Sequence, residues 1–253
     1  MLTLDSQDPL ALAVTGAVRD GDLGLLGRLL EEHPGLARAR IVEVREGCGP
    51  GGRSLLHVVA DWPGHFPGGP RTVAALVAAG ADPGARFSGA HAETPLHWAA
   101  SCNDVAVLDA LVAAGADIEA DGAVIGGGTP LADACGFGQW EAAYRLVELG
   151  ARTTLEEAAT LGLLDRVECC VTGPDAPTPE EITRAFWGAC HGGQLATAQY
   201  LLARGAHIDQ VGHGGMAPLD VARAQEEQQA QGARDVVAWL IDQGARTGSE
   251  MSE

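Results

Sequence analysis

The feature that most constrains this chain is a Gly-Ala pair that recurs at the end of apolar segments. It occurs at Gly80-Ala81, Gly115-Ala116, Gly150-Ala151, Gly205-Ala206 and Gly244-Ala245. The intervals of 35, 35, 55 and 39 residues are typical of proteins built from stacked repeats, in which each unit buries its apolar face against the next. The sequence therefore predicts a row of similar units, with an irregular extra unit in the 55-residue interval.

One unit can be followed residue by residue between residues 93 and 117. Thr94 can accept hydrogen bonds from the free amides at a helix start, and Pro95 stands where its missing N–H costs nothing. A second apolar segment has helical spacing at Val105, Leu108, Leu111 and Val112. Gly115 supplies the left-handed residue that ends this second helix. The unit is thus predicted to be a helix-turn-helix hairpin.

The start of this unit resembles the ankyrin repeat in the run Glu93-Thr94-Pro95-Leu96-His97-Trp98-Ala99-Ala100. The resemblance implies an all-α solenoid of helix-turn-helix hairpins with β-hairpin fingers between them. On this basis, residues 1–253 are predicted to form a single ankyrin-repeat domain that ends in a flexible tail over residues 246–253. The seven predicted hairpins span residues 8–33, 54–81, 93–116, 128–151, 153–172, 180–206 and 216–245.

Three segments depart from a regular repeat. Residues 40–45 alternate like a β-strand where the first finger is expected, and residues 151–154 leave no room for a finger before Leu155. Residues 63–70, rich in Pro and Gly, are inserted between the two helices of the second hairpin. This insertion is either a surface loop whose Phe66 packs on the stack or a lid.

Composition excludes several classes of partner. The chain has 16 Lys and Arg against 34 Asp and Glu, for a net charge of −18, so neither nucleic acid nor a membrane surface is expected as a partner. Without CxxC or HxxxH pairs, no metal site is predicted. The glycine run at residues 126–128 lacks the GK[ST] ending of a phosphate loop, and no cofactor is predicted. The cysteine usage favours the cytoplasm, and Cys169-Cys170 are expected in the core.

The candidate ligand-binding residues follow from the resemblance, which implies that the fingers and the last turn of each first helix line a concave groove. Aromatic residues make up only 4% of the chain, yet they crowd into these positions. An aromatic wall with a few polar groups is typical of a binding site. The predicted ligand-binding residues are Trp62, Phe66, Phe87, His91, Trp98, Cys102, Phe137 and Trp187.

Two functions are compatible with this pattern. The first is a binding module that uses the concave groove to hold a partner protein or ligand, which is the usual role of the fold. The alternative is a small-molecule-binding protein or an unusual enzyme with an acid–base pocket in the middle of the arc, because imidazole titrates near neutral pH. The candidate catalytic residues of that alternative are Asp61, His65, Asp133 and His191.

Some of these side chains also have a structural interpretation. Asp133 occupies the place of Trp98 in its repeat, and a buried carboxylate is costly unless it is hydrogen-bonded. Asp133 is therefore either a satisfied core residue or a group that binds ligand or transfers a proton. Trp187 is expected in the core, with its indole N–H able to face the groove. For His57 and His97, the resemblance implies structural hydrogen bonds between repeats.

Overall fold

The computed structural model describes residues 2–45, 49–228 and 232–251 and is built mainly from paired helices. One pair lies in each predicted hairpin range, and the predicted all-α fold class is confirmed. The pairs are α1 (Pro9–Asp20) with α2 (Leu23–Glu32), α3 (Leu55–Val59) with α4 (Gly69–Ala78), α5 (Pro95–Ser101) with α6 (Val105–Ala113), α7 (Pro130–Gly136) with α8 (Trp140–Glu148), α9 (Leu155–Thr160) with α10 (Leu164–Thr172), α11 (Pro179–His191) with α12 (Leu195–Leu202), and α13 (Pro218–Glu227) with α14 (Ala233–Asp242).

The chain divides into two compact units, Met1–Ala151 and Arg152–Glu253. The division falls at the place where the sequence leaves no room for a finger. The assignment of residues 1–253 to one domain stays a prediction, and the two units are described separately. None of the described helices combines the length and the apolar character needed to cross a bilayer.

A small sheet begins the first unit. Its strands are β1 (Thr3–Asp5), β2 (Arg40–Arg45) and β3 (Gly49–Ser54), in the order β1-β2-β3. Strand β2 is parallel to β1 and antiparallel to β3, which confirms the strand expected at residues 40–45. Strand β3 leads directly into α3, whose first turn is capped by the Ser54 side chain. The sheet therefore takes the place of a regular first finger.

The other fingers of the first unit are turns closed by backbone hydrogen bonds. Phe87 N donates to Glu93 O at 2.7 Å in one of them, and Ala123 N donates to Gly128 O at 3.0 Å in the next. Two histidines connect neighbouring repeats, as the resemblance implied: His57 Nε2 lies 3.1 Å from Glu93 O, and His97 Nε2 lies 3.4 Å from Gly128 O. Burial lowers the pKa of His57 to about 3 and that of His97 to about 4, so both rings are neutral at pH 7.

The inserted loop at residues 63–70 is bound to the next repeat. The backbone N–H of His65 donates to Asp104 Oδ2 at 2.7 Å, and the His65 ring lies 3.2 Å from the carbonyl oxygen of Cys102. His65 has a left-handed backbone, with φ of 58°, which these bonds hold in place. Phe66 is half-buried. The loop thus packs on the turn between α5 and α6.

The second unit buries an apolar cluster centred on Phe186, which is fully buried and lies 6.3 Å from the Trp239 ring. Cys169 and Cys170 are exposed rather than in the core, so that expectation was wrong. The reason is helical geometry: adjacent residues on a helix point in different directions, and α10 buries Val167 instead.

The flexible tail expected at residues 246–253 stays a prediction, and residues 246–251 make contacts with other residues of the second unit. They include a helical turn, α15 (Gly248–Met251), whose first amide donates to Asp220 Oδ2 at 2.8 Å. Arg246 Nε lies 3.0 Å from Asp209 Oδ2. Gly248 and Arg246 therefore both have partners in the second unit. Residues 252 and 253 lie outside the described part of the chain.

Candidate binding site

A cavity of about 460 Å³ opens in the first unit where the first helices of three repeats end beside their fingers. The end of α3, the last turn of α5 and the C-terminus of α7 each contribute side chains, and the finger between α6 and α7 covers one edge. The lining residues are Ala60, Asp61, Trp62, Glu93, Trp98, Ser101, Cys102, Val124, Phe137 and Gln139. We call this space the first-unit cavity.

Aromatic side chains form much of the wall of the first-unit cavity. Trp98 is half-buried and is fixed from behind by Phe87, at 5.5 Å between ring centroids, and by His57, at 4.9 Å in an edge-on arrangement. Trp62 and Phe137 are 80% and 46% exposed. Large apolar side chains gathered at one exposed place mark interaction sites more often than scattered ones do. The wall therefore combines one fixed ring with two accessible ones.

Glu93 supplies a carboxylate to the same cavity. Its backbone carbonyl makes the structural bonds to Phe87 and His57, so its side chain is not needed for them. Burial raises the pKa of the Glu93 carboxyl, and the nearby charge of Asp133 raises it further, while a hydrogen bond with the Trp98 side chain acts in the opposite direction. No ion pair of Glu93 occurs within the described residues.

The second carboxylate of the cavity, Asp61, is in a different electrostatic state. Asp61 Oδ2 lies 2.7 Å from a guanidinium nitrogen of Arg19 and 2.9 Å from one of Arg53. Two arginines therefore balance the charge of Asp61 before any ligand arrives. Among the carboxylates of this lining, Glu93 is the one without an ion pair in the described part of the chain, and the nearby His91 favours its charged form from outside the lining.

Asp133 lies behind the cavity and fastens the finger that carries Val124. Its side chain is fully buried, and Oδ1 accepts a hydrogen bond from Ile125 N at 3.0 Å. Oδ2 has no hydrogen-bond partner among the described residues. Burial raises the pKa of Asp133 to about 6, against the opposing effect of the Ile125 and Val124 amides. A Cβ at Gly136 would lie 2.6 Å from Ile125, so the finger approaches α7 closely there.

Comparison with protein families identifies the repeats around this cavity. Residues 56–157 match the model of ankyrin repeats, in three copies. Residues 56–157 are ankyrin repeats. The matched ankyrin repeats include every residue that lines the first-unit cavity. A comparison with curated proteins found no match to the chain.

A second cavity, of about 580 Å³, lies wholly in the second unit and is here called the second-unit cavity. Trp187 forms part of its wall, with Nε1 donating to Met216 O at 2.9 Å and the ring stacked 5.5 Å from His191. His191 is buried and lies 3.3 Å from Gln225. The lining residues are Glu156, Pro179, Glu180, Thr183, Arg184, Trp187, His207, Gln210, Val211, Gly212 and His213.

The structure brings together some of the sequence-predicted site residues of the ankyrin repeats and separates others. Five line the first-unit cavity: Asp61, Trp62, Trp98, Cys102 and Phe137. Among the predicted ligand-binding residues of the first unit, three do not line it, namely the supporting Phe87, the exposed His91 and the loop residue Phe66, and neither do the candidate catalytic His65 and Asp133. Trp187 lines the second-unit cavity.

The four candidate catalytic residues are not assembled in one unit. Asp61, His65 and Asp133 make no hydrogen bonds with one another, because each is bound to other groups of the first unit. His191 belongs to the second unit. Among the described residues, no group of three His, Cys, Asp or Glu side chains is arranged to hold a metal ion.

Sequence reasoning missed Glu93, Val124 and Gln139 in the first-unit cavity. Glu93 stands immediately before the Thr-Pro-Leu-His motif. This position predicts that it lies at the base of a finger. Val124 belongs to a finger two residues longer than regular spacing, which was a usable signal. Most of the second-unit cavity was also missed, including Arg184, His207 and His213.

Proposed function

We propose that this protein is a binding module whose first-unit cavity holds a segment of a partner protein. The observation that carries the proposal is the exposure of Trp62 and Phe137 beside one cavity in the ankyrin repeats, at 80% and 46%. Exposed aromatic rings around a pocket supply a large contact area with little loss of conformational freedom, and such residues dominate protein interfaces.

The scaffold supports this proposal. Ankyrin repeats are generally protein-interaction modules, and here the aromatic side chains stand at the ends of first helices and beside fingers, where the resemblance places the binding groove. Trp98 is held by Phe87 and His57, so part of the surface is organised before binding and little ordering cost remains for the partner to offset. The thiols of Cys102, Cys169, Cys170 and Cys190 are free, which supports a reducing compartment such as the cytoplasm as the place of action.

The test uses peptides selected on the purified full-length protein from a displayed random library. Binding of the selected peptides is then measured by fluorescence polarisation with the wild type, with a Trp62→Ala/Phe137→Ala variant, and with Leu12→Ala as the matched control. Leu12 is 52% exposed in the same unit but does not line the cavity. We expect the double variant to weaken binding at least about 100-fold and the control to leave it unchanged. Equal binding by all three proteins would contradict the proposal.

A second candidate function is binding of a small molecule in the second-unit cavity. It is favoured by the volume of about 580 Å³ and by the presence of Trp187, Arg184 and two imidazoles on one lining, a mixture that suits a flat molecule with an acidic group. A thermal-shift screen of metabolites with the wild type, repeated with Arg184→Gln, tests it. A ligand whose stabilisation disappears in Arg184→Gln supports this function, and a screen without any such ligand opposes it.

A further inference from the structure

The first-unit cavity has an unbalanced charge. Of its two lining carboxylates, Asp61 is paired with Arg19 and Arg53, whereas Glu93 has no ion pair among the described residues. The lining contains no Lys, Arg or His. Asp133, buried just behind, adds a second carboxyl close enough to raise the pKa of Glu93. Although His91 acts on Glu93 from outside, the lining itself lacks a positive charge.

The walls of the cavity suit a cation on an apolar stem. Trp62, Trp98 and Phe137 present aromatic rings, whose faces attract ammonium and guanidinium groups. The same rings and Val124 can cover the aliphatic part of a Lys or Arg side chain. Ser101 adds a hydroxyl oxygen that is buried and has no hydrogen-bond partner within the described residues. It can accept a hydrogen bond from a bound donor.

Other occupants fit less well. A neutral apolar side chain would remove water from Glu93 and leave its carboxylate with only the hydrogen bond from Trp98, which is costly for a buried charge. An acidic side chain would be repelled both by Glu93 and by the chain as a whole, whose net charge is −18. Charge complementarity therefore selects a basic occupant.

We propose that the first-unit cavity holds one basic side chain, lysine or arginine, of the partner segment, with its charge against Glu93 and its stem along Trp98 and Phe137. This proposal rests on the proposed function, because it names the chemistry of the residue that enters the same cavity. It predicts that the partner carries an exposed basic residue at the centre of its binding segment. Association should also weaken with rising salt, since opposite charges are brought together.

The experiment compares versions of one selected peptide that differ at a single residue: the basic residue itself, its Lys–Arg exchange, norleucine and Glu. Each is measured by fluorescence polarisation with the wild type, with Glu93→Gln, and with the control Glu31→Gln, which removes an exposed carboxylate of α2 that lines neither cavity. Glu93→Gln keeps the backbone carbonyl that bonds Phe87 and His57. Circular dichroism and urea unfolding establish that each variant is folded.

We expect norleucine to weaken binding to the wild type about 10- to 100-fold and Glu to abolish it. Glu93→Gln should weaken the basic peptide by a similar factor and leave the norleucine peptide bound at least as tightly as by the wild type, so that the two changes are not additive. Glu31→Gln should bind like the wild type. The Lys–Arg exchange identifies which basic side chain is preferred.

The failures of the two proposals are distinguishable. Peptides that require Trp62 and Phe137 but tolerate norleucine and Glu93→Gln would leave the proposed function standing and overturn the basic occupant. A selection that yields no peptide dependent on Trp62 and Phe137 would overturn both proposals.

Discussion

The two cavities use the same hairpin scaffold but fix their fingers in different ways. In the first unit, the finger at residues 121–128 is fastened by the buried carboxyl of Asp133, which accepts from Ile125 N. In the second unit, the finger before α13 is fastened by an indole, because Trp187 Nε1 donates to Met216 O. The first-unit cavity is lined by acids and aromatic rings without a base, whereas Arg184 and two histidines join the acids of the second-unit cavity.

The difference shows how the residue at one position of a first helix changes the side chains that surround the neighbouring cavity. Trp98 and Asp133 occupy the same place in successive repeats, and Gly188 occupies it in α11, where the tryptophan comes one residue earlier. A shift of one residue on a helix turns a side chain by about 100°. Trp187 therefore faces Met216 and His191, while Trp98 faces Phe87 and His57. Similar helices thus support cavities of different charge.

The largest expected effect is the removal of either tryptophan. Trp98→Ala and Trp187→Ala should each lower the free energy of unfolding by roughly 3 kcal/mol, because both rings are half-buried and packed on another ring. Only Trp98→Ala should also abolish binding of the basic peptide. Urea unfolding and fluorescence polarisation measure the two quantities. Loss of peptide binding in Trp187→Ala but not in Trp98→Ala would indicate that the peptide binds in the second-unit cavity.

The second prediction concerns the carboxyl that fastens the first finger. The pKa of Asp133 is raised from 3.8 to about 6, so between these values the folded state holds more protons than the unfolded state. Stability from this group therefore falls as pH rises through that window, by about 2 to 3 kcal/mol. Asp133→Asn cannot titrate and should lack this fall, while Glu93 and His91 remain in both proteins.

Urea unfolding at pH values between 4 and 7.5 measures this difference. The free energy of unfolding of Asp133→Asn minus that of the wild type should increase as pH rises. This difference should become constant above about pH 7. Parallel pH profiles for the two proteins would show that the Asp133 carboxyl is not penalised by burial.

A smaller effect is expected at the start of a second helix. Asp104 is buried, caps α6 through Val107 N at 3.1 Å and holds the loop through His65 N at 2.7 Å. Asp104→Ala should lower the free energy of unfolding by about 1 to 2 kcal/mol. The corresponding residue of the second unit, Gln194, makes no capping bond to α12. Gln194→Ala should change the free energy of unfolding by less than about 0.5 kcal/mol. Equal losses of stability in the two variants would show that the capping bond of Asp104 does not distinguish the two sites.

The smallest effect is a difference in thiol reactivity that leaves stability unchanged. Burial raises the pKa of Cys102, on the first-unit cavity, to about 11, which lowers its thiolate fraction about 100-fold relative to an ordinary thiol. Cys169 and Cys170 are exposed. Alkylation with iodoacetamide at pH 8, followed by peptide mass mapping, should label these two first. Labelling of Cys102 at the same rate would contradict the described burial.

Much of the fold could be predicted from sequence because repeats carry local signals. Two such signals can be identified from local sequence alone: Thr94 with Pro95 at a helix start, and the recurring Gly-Ala pairs. Strand β2 alternates and was also predictable. Strand β3 was not, because its Gly-Pro-Gly-Gly composition is unfavourable for a strand and only pairing with β2 and the bridge to Ser88 place it there. The contacts of residues 246–251 depend likewise on Asp209 and Asp220, distant in sequence.

The candidate site was predictable where it lies on helices and unpredictable where it lies on fingers. Trp98, Cys102 and Phe137 follow from the positions of first-helix ends. Glu93 and Val124 do not, since their placement depends on how each finger folds back on the next repeat. The ion pairs of Asp61 with Arg19 and Arg53 could not be predicted from local sequence either. These ion pairs determine which carboxylate of the cavity is available to a ligand.

The most direct test of the first-unit cavity as the binding site uses the chain's five tryptophans as reporters in one NMR titration. Their indole N–H signals are assigned with single Trp→Phe variants and followed as the basic peptide is added. Binding in the first-unit cavity predicts saturable shifts of the Trp62 and Trp98 signals, with those of Trp187 and Trp239 unmoved. A shift of the Trp187 signal with Trp62 and Trp98 unmoved would contradict the account.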